Sequence, residues 1–248
     1  MSRNYELMQK LEKGQTLFSN RIIGPTFPVV EESGTLKVPR DLAVDLSLGL
    51  IQRIFLQQMD EPPRMVVFAS VDHGNGCSQI AASVAGTLAQ DVPGTVCLVE
   101  ANFRSPALPE ILGTTNHHGL TDALQRPGGI RSFMKPVWKE NLWLMSSGAV
   151  AADSPNLLSS ERMRVRCAEL REEFDFVIVD APPLSRYADA IALGRLSDGV
   201  VLVLEAESTR REAARIAVEN LRSSRIPVLG AVLNKRTFPI PEQIYRKL

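Results

Sequence analysis

The stretch MVVFASVDHGNGCSQIAASVAGTLAQ, residues 65–90, decides how the rest of the chain is read. It opens on an apolar run at 66–69, passes two glycines, Gly74 and Gly76, and continues over 78–90 with apolar residues at helical spacing. An apolar run without polar alternation marks a strand buried on both faces, as in a parallel sheet covered by helices. A glycine-rich turn between such a strand and a helix points backbone N–H groups and the positive helix end at an anion. The same turn serves plain close packing about as often, so alone it leaves both readings open. Ser78 stands where a hydroxyl would reach Mg²⁺, but the position after the second glycine is Cys77. A lysine belongs there if β- and γ-phosphates are to be neutralised.

The alternation continues outward. Further apolar runs fall at 96–99, 142–145, 176–179, 200–204 and 228–233, with helical spacing between them, as over 209–223. Strand–helix–strand repetition implies right-handed crossovers and an α/β fold, a doubly wound, mainly parallel sheet with helices on both faces. Upstream, a helical pattern runs from 41 to about 58, and Pro62 and Pro63 are read as its stop. Residues 1–15 read as a short helix with Tyr5, Met8 and Leu11 on one side, and 20–40 as an irregular arm broken by Pro25, Pro28, Gly34 and Pro39. The expected organisation is a helix and arm at 1–40, one domain at 41–236 and a short tail at 237–248.

Composition narrows the function classes. The 248 residues suffice for one large α/β domain, and 44% hydrophobic with 23% charged residues is ordinary for a soluble globular protein. Lys+Arg and Asp+Glu are 28 each, so no global field favours nucleic acid or anionic lipid, and no nucleic-acid partner is expected. No apolar run reaches the length of a membrane span, and the amino terminus is charged where a signal peptide would be apolar. Cys77, Cys97 and Cys167 are odd in number, widely spaced and free of a C-x-x-C pair. That pattern suits a reducing cytoplasm rather than a disulfide framework or zinc site.

In doubly wound sheets ligands sit beyond the carboxyl ends of the strands, so the residues just after each apolar run carry the information. After the second run come Glu100 and Arg104: an acid facing the glycine loop to orient Mg²⁺ or a nucleophile, or a surface acid paired with that arginine. After the fourth comes Asp180, placed to hold a metal through water. After the last comes Asn234, whose amide suits an adenine edge or, equally, caps a strand end. Cys77, at a helix start, is either a thiol of lowered pKa or a small filler.

Together these residues resemble the CpsD/CapB family of bacterial capsule and exopolysaccharide tyrosine kinases, within the MinD-type P-loop NTPases. Gly74-Asn75-Gly76-Cys77-Ser78-Gln79 is similar to the Walker A loop, and the segment 96–104 to the second acidic motif. Gly119-Leu120-Thr121-Asp122-Ala123-Leu124, the stretch 154–163 and the Walker B segment 174–183 follow in the family's order, over about residues 40–236. The resemblance implies ATP or ADP with Mg²⁺ as ligand. It puts Gly74, Asn75, Gly76, Cys77, Ser78, Gln79, Arg104 and Asn234 at the nucleotide, Ser78 and Asp180 at the metal, and Glu100 and Asp180 in the catalytic positions. It also implies a membrane-embedded polysaccharide co-polymerase as partner, peripheral placement at the inner membrane through it, and a homo-oligomer.

The departures fall on the chemistry. Cys77 replaces the loop lysine, Asp72 stands near the family's second lysine, and Glu100 and Asn102 replace two aspartates. A charge–charge contact near 4 Å is worth about 4 kcal/mol at an effective dielectric of about 20. Without that lysine, only Arg104 or Lys235 could restore the phosphate clamp. The terminal tyrosine cluster of the family is reduced to Tyr245, with Tyr5 and Tyr187 elsewhere. A regulatory pseudokinase is therefore the leading expectation. A working kinase or ATPase with an unorthodox phosphate site is the alternative, and a partition-type ATPase ranks last.

Overall fold

Every residue of β1 (Met65–Ser70), β2 (Val96–Glu100) and β5 (Phe176–Ala181) is buried, as unbroken apolar runs demand of central strands. The computed structural model describes residues 40–56, 61–138, 141–149 and 154–235. The expectations for the arm before residue 40, the tail after 235, Tyr5 and Tyr245 lie outside these residues. With β3 (Lys135–Trp138), β4 (Leu142–Met145), β6 (Gly199–Glu205) and β7 (Val228–Asn234), the strands form one seven-stranded sheet in the order β3-β4-β2-β5-β1-β6-β7. All neighbours run parallel except β3, which lies antiparallel on β4.

The six expected strands are present, and β3 is an addition. Its four residues include Lys135 and Pro136, a charge and an imino acid that suit an edge and give no apolar run. Strand side chains alternate between two cores. Met65, Val67 and Ala69 face one layer with Cys167 and Leu170, while Val66 and Phe68 face the other with Ile51, Ile54 and Leu88. α1 (Arg40–Ile54), α2 (Cys77–Asp91) and α8 (Arg211–Ser223) fall where helical spacing places them. α1 nevertheless ends at Ile54, well before Pro62 and Pro63. Phe55 turns inward there, buried edge-on against Phe176 with ring centroids 5.7 Å apart, so packing stops the helix and the prolines do not.

The remaining helices α3 (Leu108–Ile111), α4 (Leu120–Gln125), α5 (Ser154–Leu157), α6 (Glu161–Glu173) and α7 (Asp189–Gly194) fill the crossovers. Ser160 caps α6, its Oγ accepting from the Met163 N–H at 3.2 Å. From α6 the buried Arg166 donates to the carbonyls of Ala123, Arg126 and Gly128 at 2.9–3.1 Å. It thereby satisfies the open end of α4, where the last carbonyls of a helix lack partners.

Candidate functional site

β5 lies between β1 and β2, so the turn after β1 and the acids ending β2 and β5 meet at one edge of the sheet. In register, Asp180 stands beside Phe68 on one side and Glu100 on the other. Gly74 and Gly76 have φ of 87° and 82°, a conformation that L side chains avoid. Gly76 precedes α2 without any side chain capping it, which leaves the first N–H groups of a 15-residue helix for an anion. Backbone shape therefore fits a phosphate.

The side chains fit a metal better than a phosphate. Ser78 Oγ donates to Asp180 Oδ2 at 2.5 Å, so the two expected metal residues are in contact. Asp180 is fully buried, and its Oδ1 has no hydrogen-bond partner, an arrangement that suits a cation. Mg²⁺ held by Ser78 and Asp180 would neutralise phosphate charge there. Cys77 is also buried. Burial first, then the neighbouring Asp180 and Glu100, push its thiol well above the usual range. The residue at the lysine position is thus a neutral filler that meets Asp180 as a hydrogen-bond partner, not a reactive thiolate.

This geometry overturns one expectation and shows the partners of two further expected residues. Glu100 is no surface acid paired with Arg104: it is fully buried, and its Oε2 accepts from the backbone N–H groups of Ala107 and Leu108 at 2.9 and 2.7 Å. Burial and the adjacent Asp180 raise its pKa. Burial raises Asp180 too, against the pull of the Ser78 hydroxyl and Cys77 thiol. Arg104 is engaged elsewhere, 3.3 Å from Asp189 and stacked 3.8 Å from the centre of the Tyr187 ring. Asn75, expected at the nucleotide, turns its buried amide to the Val203 carbonyl and Thr209 Oγ1 at 3.3 and 3.2 Å.

Gln79 is exposed beside the loop, and Asn234 reaches it, its Nδ2 donating to the Asn75 carbonyl at 2.8 Å. A Cβ on Gly76 would stand 2.4 Å from that nitrogen, so only glycine admits Asn234 so close. Thr209, Glu205 and the N–H groups of Ala107 and Leu108 are parts of the site that no local pattern announced. They lie in loops, at a helix start or at a strand end, where no periodic pattern marks them.

The sheet order, the glycine loop and the acid ending β5 define a P-loop nucleotide-binding fold. The model of the ParA family described as "NUBPL iron-transfer P-loop NTPase" matches residues 62–246. Tyrosine-protein kinase YwqD of Bacillus subtilis (strain 168) is 30% identical over 196 residues, covering 79% of this chain and 82% of its own. The putative tyrosine-protein kinase CapB of Staphylococcus aureus is 25% identical, covering 79% and 86%. The crystal structure of the chimerical protein CapA2B2 superposes with a TM-score of 0.74 at 24% identity, covering 82% of this chain and 87% of that one, and shows the shared fold. The chain belongs to the ParA-like P-loop NTPase family, in the branch that holds the bacterial tyrosine-protein kinases.

Proposed function

We propose that this protein is a tyrosine-kinase-like regulator of exopolysaccharide or capsule synthesis, with little or no ATP turnover, acting in the cytoplasm on a membrane-embedded polysaccharide co-polymerase. The observation that carries the reading is the buried neutral thiol of Cys77 in the place of the loop ammonium. Phosphoryl transfer depends on positioning and charge neutralisation. A thiol supplies neither, and Glu100 is occupied with the loop before α3. Similarity to tyrosine-protein kinases supports the kinase-like surface, and the family resemblance supports the partner. One observation favours a working kinase instead: the contact between Ser78 and Asp180 keeps the metal corner intact.

Incubation with ATP·Mg²⁺ followed by mass-spectrometric mapping of Tyr5, Tyr187 and Tyr245 separates the two. No phosphotyrosine is expected. A phosphate on Tyr245 adds about −2 charge, and Arg246 and Lys247 beside it would largely offset any repulsive switch. Stoichiometric phosphate on Tyr245, lost in Asp180→Ala, would overturn the pseudokinase reading.

A further inference from the structure

The glycine loop is also held from the far side of β1. β7 delivers Asn234 and Lys235 to it, the first bonding the Asn75 carbonyl and the second donating from Nζ to the Gly74 carbonyl at 2.7 Å. Lys235 Nζ also lies 3.2 Å from Glu205 Oε2, at the end of β6. Its φ is 55°, a left-handed conformation that few non-glycine residues adopt and that tends to persist where a site needs it. Among the described residues no other cationic side chain hydrogen-bonds to this loop, and Arg104 is tied to Asp189 and Tyr187.

We propose that Lys235 is the phosphate-binding cation of this site, replacing from β7 the lysine that the loop lost at Cys77. The inference rests on the reading of the loop as a degraded phosphate site. Lysine is a compact point charge on a long flexible stem, and this one is half exposed and bound to one neutral carbonyl and one partly exposed carboxylate. A polyphosphate seated on the open N–H groups of α2 offers denser negative charge than either. The seat itself has an independent mark: in the carboxylate bonded to Ser78, the buried Asp180 Oδ1 has no hydrogen-bond partner, an open acceptor that suits a cation. Two positive charges, one metal and one ammonium, are what a nucleotide's phosphates require.

Calorimetry with adenosine, ADP·Mg²⁺ and ATP·Mg²⁺ tests this on the full chain, with thermal melts as folding controls. Wild type is expected to bind ATP·Mg²⁺ measurably. Lys235→Met should weaken ATP·Mg²⁺ by about ten- to a hundredfold, the span of one charge-assisted hydrogen bond, and leave adenosine unchanged. Lys235→Arg should retain most of the affinity. In a Cys77→Lys background the loss from Lys235→Met should shrink to about threefold or less, because the loop lysine then takes the phosphates. If Cys77→Lys binds ATP·Mg²⁺ but wild type does not, or Lys235→Met matches wild type, the inference falls and the degraded-site reading stands. Equal losses for adenosine and ATP would reduce Lys235 to a loop staple and sink the inference too. If neither wild type nor Cys77→Lys binds ATP·Mg²⁺, both fall.

Discussion

The two ends of the sheet treat their carboxylates in opposite ways. At the amino end, Asp198 Oδ2 accepts from the N–H groups of Arg64 and Met65 at 2.7 and 2.8 Å, and Arg171 grips both of its oxygens at 2.9 and 3.1 Å. Burial alone would raise this acid, but Arg171 and the two N–H groups outweigh it and hold the carboxyl below its usual range. Nearby, Asp175 bonds Thr95 through N–H and hydroxyl at 2.9 and 3.1 Å. At the carboxyl end, Glu100 and Asp180 lie side by side, fully buried, each with an oxygen lacking a partner, and both are raised. One end is satisfied and stabilises the fold. The other holds unbalanced charge that stability alone would not select, which is where a ligand site is expected.

The comparison breaks most visibly at Asp198. Asp198→Ala should lower the unfolding free energy by about 3 kcal/mol in urea titrations, since it orphans two strand N–H groups and the Arg171 guanidinium. Because this carboxyl is held low, its contribution is present above the unfolded-state value and fades as pH falls through the folded one. Wild type should therefore lose stability in acid more steeply than the variant. A loss under about 1 kcal/mol would show that the amino end is no clasp.

The carboxyl end should tolerate loss of charge but not added atoms. Gly76→Ala puts a methyl 2.4 Å from Asn234 Nδ2, on a backbone at φ 82°. About 2 kcal/mol of destabilisation is expected, from the left-handed strain and the displaced amide. Gly49 meets nothing within 4 Å, so Gly49→Ala should be neutral or stabilising in the same denaturation series. Equal effects at the two glycines would mean that the loop relaxes its left-handed turn and that Asn234 moves aside freely.

The same contrast explains what the sequence made legible. Central strands announce themselves because both faces are buried, and residues that follow them must lie at one edge. Hence Ser78, Asp180 and Glu100 could be brought together from spacing alone. β3 stayed hidden, because an edge strand containing Lys135 and Pro136 has no apolar signature. Nothing local shows that Arg104 meets Asp189, 85 residues away. For Glu100 the surface-acid alternative stayed open because its partners are backbone N–H groups, which carry no sequence identity. For Cys77 the sequence shows the missing lysine but leaves the state of the thiol open, because that depends on burial that only the packed site reveals.

The smallest expected effect is the most discriminating, since it tests the protonation of the upper pair. Glu100→Gln keeps an oxygen for the Ala107 and Leu108 N–H groups and turns an N–H₂ toward Asp180. In wild type the folded Glu100 stays protonated above the unfolded glutamate value, raised by burial and then by Asp180. Between those two values the native state binds more protons than the unfolded one, so stability must fall as pH rises, by up to about 1.4 kcal/mol per pH unit. Below about pH 4.3 both states are protonated and this dependence vanishes. Glutamine has no proton to lose, so the variant should match wild type near pH 4.5 and exceed it by about 1–2 kcal/mol near pH 6. Chemical denaturation across pH 4.5–8 provides the curves. Parallel curves would mean that Glu100 is ionised in the native state and that the two ends of the sheet differ less than their geometry implies.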